Sequence, residues 1–293
     1  LKEPRVLFPV TTLLPRDYST ITELPGGRAS RQQMARLQQR YGLAARLSVG
    51  HDVLEAGCGA GLGLGWLGRE SRRVTGGDFT WSNLALARGH YGGRVPLVRL
   101  DAGALPFRKH SFDTVILFET LYYLKRPARF VAECARVLRG GGILLIGTVN
   151  PEWRGFHPSP LAQRYFSARE LDELLSAGGF RTEIFGGFRE SSPRGRLLSR
   201  VKRIAGRAGL IPATLRGREA FKRLVFGPLR ALPAEIEPNG YADQPLEPIV
   251  AREPQRDYTI LYALGRLPAA RCRDGDCRDG DCHRAPAAFG PNA

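Results

Sequence analysis

From His51 onward the chain alternates short apolar runs with longer stretches whose apolar residues recur at helical spacing. The runs are 52–56, 73–76, 96–100, 114–118 and 143–148. Stretches near 62–70, 81–90, 127–138 and 167–178 read as helices between and after them. Such alternation predicts an α/β fold, a doubly wound and mostly parallel sheet. Two further runs, 181–188 and 258–266, bring the expected strands to seven.

In front of this core, Ser30-Arg31-Gln32-Gln33 matches a capping box, and Met34, Leu37, Tyr41 and Ala44 follow on one helical face, so a helix is expected over 31–47. Residues 1–29 read as an irregular arm rich in proline and glycine. The segment Leu138-Arg139-Gly140-Gly141-Gly142 reads as the turn that closes one helix and feeds the next strand. The organisation expected is an arm and cap helix (1–49), a core (50–188), an insertion (189–256), a last core strand (257–267) and a disordered, low-complexity tail (268–293).

Composition narrows the function classes. With 293 residues, 43% of them hydrophobic, the chain can bury one α/β core with peripheral elements. It carries 44 basic against 28 acidic residues, a formal +16, which favours contact with anions. The excess is concentrated from Ser191 to Arg230, with eleven Lys or Arg and a single acid, Glu219. There Leu197, Leu198, Val201 and Ile204 share one helical face and Phe221, Leu224, Val225 and Leu229 a second, so two basic amphipathic helices are expected. They read as a solvated cover over a site, as a peripheral attachment to anionic membrane, or as a nucleic-acid contact, though no nucleic-acid-binding module or aromatic stacking pattern accompanies them.

No apolar run approaches the roughly 20 residues of a membrane span, and Pro9, Thr11, Thr12 and Pro15 interrupt the first apolar residues, so the location expected is cytoplasmic. The chain starts at Leu1 and is read as a fragment or as using an unusual start codon. Five cysteines, unevenly spread, suggest no disulfide framework. Cys272, Cys277 and Cys282 repeat every five residues beside His283, a spacing that suits tandem slippage better than a metal site.

The chemistry centres on Val53-Leu54-Glu55-Ala56-Gly57-Cys58-Gly59-Ala60-Gly61. A carboxylate at the end of an apolar run offers an acceptor to an amine or hydroxyl, and the glycines allow a sharp turn close to a ligand. A plain strand-to-helix turn is the other reading of the same glycines, and helix capping or loop solvation the other reading of Asp78 and Asp101. Cys58 reads as a small packing residue. Gly63-Leu64-Gly65-Trp66-Leu67-Gly68 has the spacing of a dinucleotide fingerprint, but it falls inside an expected helix instead of at a strand end.

Glu55 and its glycines, Asp78 at the end of the second strand, Leu100-Asp101-Ala102 at the end of the third, Leu105-Pro106-Phe107 before Ser111-Phe112-Asp113, and Arg136 to Gly142 follow in an order that resembles class I S-adenosylmethionine (SAM) methyltransferases, in particular their small-molecule branch called methyltransferase type 11. The resemblance covers roughly residues 50–188. Glu55 stands where aspartate is more frequent, and Gly140 where proline is common.

The resemblance implies a Rossmann-like fold, SAM as cofactor, and methyl transfer to a small or medium-sized acceptor. The implied cofactor residues are Glu55, Gly57, Gly59, Gly61, Asp78, Phe79, Asp101, Ala102 and Phe118. Glu55 and the glycines would serve the amino acid portion, Asp78 the ribose and Asp101 the adenine. Candidates for a general base come after the fourth and fifth strands: Glu119, Tyr122, Tyr123, Glu152 and His157, with the two tyrosines expected to shape the pocket more than to ionise. Phe118-Glu119-Thr120-Leu121 stands where amide- and base-directed N-methyltransferases carry Asn/Asp-Pro-Pro-Tyr. The alternative function is a non-catalytic relative of these enzymes that docks to membrane or partner through 191–230.

Overall fold

The computed structural model describes residues 17–159, 161–190, 228–238 and 245–269. After a two-residue strand β1 (Arg28–Ala29), the capping box forms as the sequence predicts: Gln33 N donates to Ser30 Oγ and Ser30 N to Gln33 Oε1. Helix α1 (Arg31–Leu47) follows. The chain then runs β2 (Asp52–Ala56), α2 (Leu64–Glu70), β3 (Arg73–Asp78), α3 (Trp81–Tyr91), β4 (Leu97–Arg99), β5 (Phe112–Phe118), α4 (Pro127–Val137), β6 (Leu138–Val149), α5 (Ala168–Ala177) and β7 (Arg181–Arg189). Beyond it come β8 (Arg230–Ala231), β9 (Glu247–Pro248) and β10 (Tyr258–Arg266).

One sheet holds eight strands in the order β4-β3-β2-β5-β6-β10-β7-β9. β2 pairs parallel with β3 and β5, while β10 lies antiparallel between β6 and β7. The seven strands expected from sequence are all in this sheet. The eighth, β9, is a two-residue edge from the insertion, and β8 pairs with β1 in a separate ribbon. The strand order reverses between β2 and β5, and at such a switch point the loops leaving the two strands part to open a crevice.

Period-two alternation divides the strand residues between two layers of helices. Val53, Ile116, Leu145 and Tyr262 join one buried cluster with Leu37, Tyr41, Leu64 and Leu67 of α1 and α2, whereas Leu54, Val115, Leu117 and Leu144 join another with Phe130, Val131, Leu171 and Leu175 of α4 and α5. The segment 138–142 departs from the expected turn. Leu138 already pairs with Phe112, the ladder resumes at Thr114 with Ile143, and the residues between bulge outward through Gly141 at φ +80°. The bend is an excursion within β6, not a break before it.

Of the insertion, 189–190, 228–238 and 245–256 are described. Its Glu235 and Glu237 pair with Arg69 of α2, and Ile236 N donates to Leu62 O. The expected basic helices at 197–204 and 221–225 lie outside the described residues, as do the arm before 17 and Cys272, Cys277, Cys282 and His283. Leu229, expected on the second helix, instead leads into β8. Among the described residues no helix is long and apolar enough to cross a membrane.

Candidate active site

The chain turns out of β2 through Gly57, Gly59 and Gly61, at φ +77°, +56° and +79°, a region that side chains resist. Gly57 N and Cys58 N both donate to Gly77 O, at 2.7 and 3.0 Å, which ties the loop to the end of β3. A Cβ on Gly57 would lie 2.5 Å from Thr120 Oγ1, and one on Gly59 2.8 Å from Thr22 Cγ2. The backbone therefore runs too close to its neighbours for any side chain. Gly61 serves the turn itself: its carbonyl accepts the Tyr91 hydroxyl at 2.7 Å, and Tyr91, Leu64 and Ala87 would crowd a Cβ placed on it.

Above this loop opens a cavity of about 980 Å³, at the upper end of the size of small-molecule sites. Of the cofactor residues expected from sequence, Glu55, Gly57, Gly59, Asp78, Phe79, Asp101, Ala102 and Phe118 line it, and Gly61 does not. The three acids, 23 positions apart in each step, are brought together because parallel strands send their C-terminal ends to one edge.

Each acid has a distinct environment. Glu55 is 1% exposed; Oε1 accepts the Tyr41 hydroxyl at 2.8 Å, and Oε2 is buried with no donor among the described residues. Burial pushes its carboxyl up to about 7, although the Tyr41 bond and the nearby Arg40 charge act the other way. Asp78 accepts from Gly59 N at 2.9 Å and Thr80 N at 2.7 Å. Burial raises its pKa as well, opposed by those amides. Asp78 thus orders the glycine loop and the entry to α3 while it lines the cavity. Asp101, two residues beyond β4, is exposed and accepts from Gly103 N at 2.8 Å.

The rest of the cavity is aromatic and charged. Glu119, Tyr122, Tyr123 and His157 line it; Glu152 does not, because its carboxylate accepts from Gln255 N at 2.9 Å and holds a loop. Glu119 sits at φ +47° just after β5, its Oε2 accepts the Tyr122 hydroxyl at 3.0 Å, and burial raises its carboxyl pKa against the pull of Arg40 and that bond. Tyr122 stacks on Tyr165 at 4.8 Å and meets Tyr123 edge-on at 4.4 Å. Burial raises both hydroxyl pKa values.

The structure adds residues the sequence reading missed. Gln33, Arg36, Leu37, Arg40 and Tyr41 form one stripe of α1 along the cavity, and Tyr18, Thr22 and Glu23 of the arm join them. Arg40 is buried and ion-paired with Glu23. The available signal was two arginines, four apart, interleaved with Leu37 and Tyr41 on the helix's apolar side.

Known proteins resemble the chain in sequence and in shape. The family described as Methyltransferase domain matches residues 54–146. A Mycolicibacterium smegmatis protein named as a probable S-adenosylmethionine-dependent methyltransferase is 36% identical over 164 residues, 55% of this chain and 63% of that protein. A fatty-acid O-methyltransferase of the same organism is 30% identical over 207 residues, 69% of each. The O-methyltransferase cnsE of Penicillium expansum is 31% identical over 163 residues, 50% of this chain and 58% of cnsE. Two of these three matches therefore span less than two thirds of the relative's length. The crystal structure of the [4+2]-cyclase SpnF shares the fold with TM-score 0.54 at 22% identity, over 86% of this chain and 91% of that one. A SAM-dependent methyltransferase of Archaeoglobus fulgidus does so with TM-score 0.50 at 17% identity, over 81% and 95%.

Proposed function

Since the chain belongs to the SAM-dependent methyltransferases, we propose that it transfers the methyl group of SAM to an oxygen of a small or medium-sized organic acceptor and releases S-adenosylhomocysteine. When bound, the cofactor supplies an electrophilic methyl on a sulfonium. The observation that carries the reading is the buried Glu55 Oε2, which has no donor among the described residues and lies beside a glycine-rich loop. An ammonium is a donor that would satisfy such an oxygen and match its charge. Asp78 would take the ribose hydroxyls, Asp101 with the Ala102 amide the adenine edge, and Phe79 and Phe118 the flanks. Oxygen is favoured because two of the relatives are named O-methyltransferases.

The remaining residues orient the acceptor and exclude water. The tyrosine wall and α1 hold it in line with the methyl, where positioning accounts for much of the acceleration. A hydroxyl acceptor forms its new O–C bond as the S–C bond breaks and must give up a proton. Glu119 is the group we assign to receive it, because its carboxyl is raised by burial and aligned by Tyr122. His157, exposed at the cavity's edge, is left with a lesser part.

The reading includes a cytoplasmic protein whose basic segment 191–230 makes peripheral contact with anionic membrane. Sedimentation with anionic and neutral liposomes tests that part, with binding to the anionic vesicles alone expected. The test of function is incubation with methyl-labelled SAM and a metabolite extract of the source organism. A labelled organic product together with S-adenosylhomocysteine is expected, and label confined to SAM across active extracts would refute the proposal.

A further inference from the structure

Arg36 is a cation without an anion among the described residues. It lines the cavity, its Nε is buried, and its guanidinium makes no hydrogen bond or ion pair with any described residue. The two acids that reach it electrostatically are engaged elsewhere: Glu23 is paired with Arg40 one helical turn away, and Glu119 accepts from Tyr122. A half-buried guanidinium whose Nε meets no described partner is costly, and burial lowers its pKa.

Its position is nonetheless well fixed. The guanidinium carbon lies 6.0 Å from the centroid of the Trp153 ring and 5.8 Å from that of Phe188. The Trp153 indole is pinned by donating Nε1–H to Glu190 at 2.8 Å. Phe188 holds φ +55° and Glu119 φ +47°, two non-glycine residues in left-handed backbone beside the same arginine. Such strain is retained where the surroundings fix a functional geometry. At the cavity's edge Lys125, Arg126 and Arg129 are exposed and in no ion pair among the described residues, so the approach is cationic too.

We infer that Arg36 is a recognition residue for a carboxylate carried by the acceptor, held by the planar fork of the guanidinium against the aromatic floor of Trp153 and Phe188. The inference rests on the reading of this cavity as a cofactor-and-acceptor site. A carboxylate fits better than a compact anion because two parallel N–H donors match its two oxygens and the neighbouring walls are aromatic.

The test is calorimetric binding of two acid and amide pairs, dodecanoate with dodecanamide and 4-hydroxycinnamate with its amide, each with and without S-adenosylhomocysteine. In at least one pair the acid binds wild type about tenfold more tightly than the amide. Arg36→Gln erases that preference while S-adenosylhomocysteine affinity stays within about twofold, and Arg36→Lys, which keeps the charge but not the fork, restores part of it. Equal binding of acid and amide in both pairs, or a preference that survives Arg36→Gln, overturns the inference. Failure of S-adenosylhomocysteine to bind wild type counts against the cofactor reading instead, and the comparison without it still decides the role of Arg36.

Discussion

Tyr41 and Glu55 share a buried hydrogen bond of 2.8 Å, the hydroxyl donating to Oε1, while Oε2 of the same carboxylate meets no described donor. One oxygen is thus fixed by the cap helix and the other is left for a ligand. The two residues are 14 positions apart, on α1 and β2. The helix in front of the core therefore sets the geometry of the first acid in it.

Cofactor binding follows the ionisation of Glu55. Its carboxyl, raised by burial to about 7, above the ordinary glutamate range, binds a proton more tightly when folded. The stability this proton contributes is complete below the unfolded value and is lost as pH rises through about 7. Cofactor affinity runs the opposite way, because an ammonium needs the carboxylate. Titrations of S-adenosylhomocysteine should strengthen through this range, with affinity falling about tenfold per pH unit below it. In Glu55→Gln the profile should be flat and the unliganded protein more stable at alkaline pH. A flat wild-type profile would reject this role for Glu55.

Removing the donor moves the midpoint. The Tyr41 bond lowers the Glu55 pKa, so Tyr41→Phe should shift the pH midpoint of cofactor binding upward by about one unit. An unchanged midpoint would mean that Tyr41 only packs.

The two glycines that open the dinucleotide-like spacing should differ sharply. A Cβ on Gly63 would lie 1.9 Å from the Tyr41 ring, which Glu55 holds in place, and one on Gly65 would lie 1.8 Å from Glu235 Oε1, the far end of a flexible side chain. By urea denaturation Gly63→Ala should lose about 1–3 kcal/mol, and Gly65→Ala less than about 1 kcal/mol, because its neighbour can swing aside and gives up only pairs with the partly exposed Arg69 and His90. Equal losses would show that helix packing does not explain these glycines.

Glu119 as proton acceptor predicts a pH-dependent rate. Its folded pKa is raised, the deprotonated form is the active one, and kcat should fall on the acid side. Tyr122→Phe removes a bond that lowers that pKa, so the acid limb should move upward. A limb that stays put, measured with an acceptor found by the labelling experiment, would remove Glu119 from the reaction.

What was legible in the sequence is what local chemistry dictates. The capping box at Ser30 and Gln33 needs four residues, and Glu55, Asp78 and Asp101 converge because parallel strands align their ends. Arg36 and Arg40 escaped, since charges on a helix read as solvated until distant segments cover them, and Glu23 escaped because the arm that carries it has no period. Phe188, which floors Arg36, is 152 positions away. Glu152 was misread for the same reason, its partner Gln255 being 103 positions on. β8 and β9, at two residues each, are too short to carry a period.

Calorimetric titration of SAM into wild type and Asp78→Ala probes the shared cradle itself. The account predicts one site of about micromolar affinity in wild type and a loss of at least about tenfold in a folded Asp78→Ala. Equal affinity in the two proteins, or no binding by wild type, would contradict it.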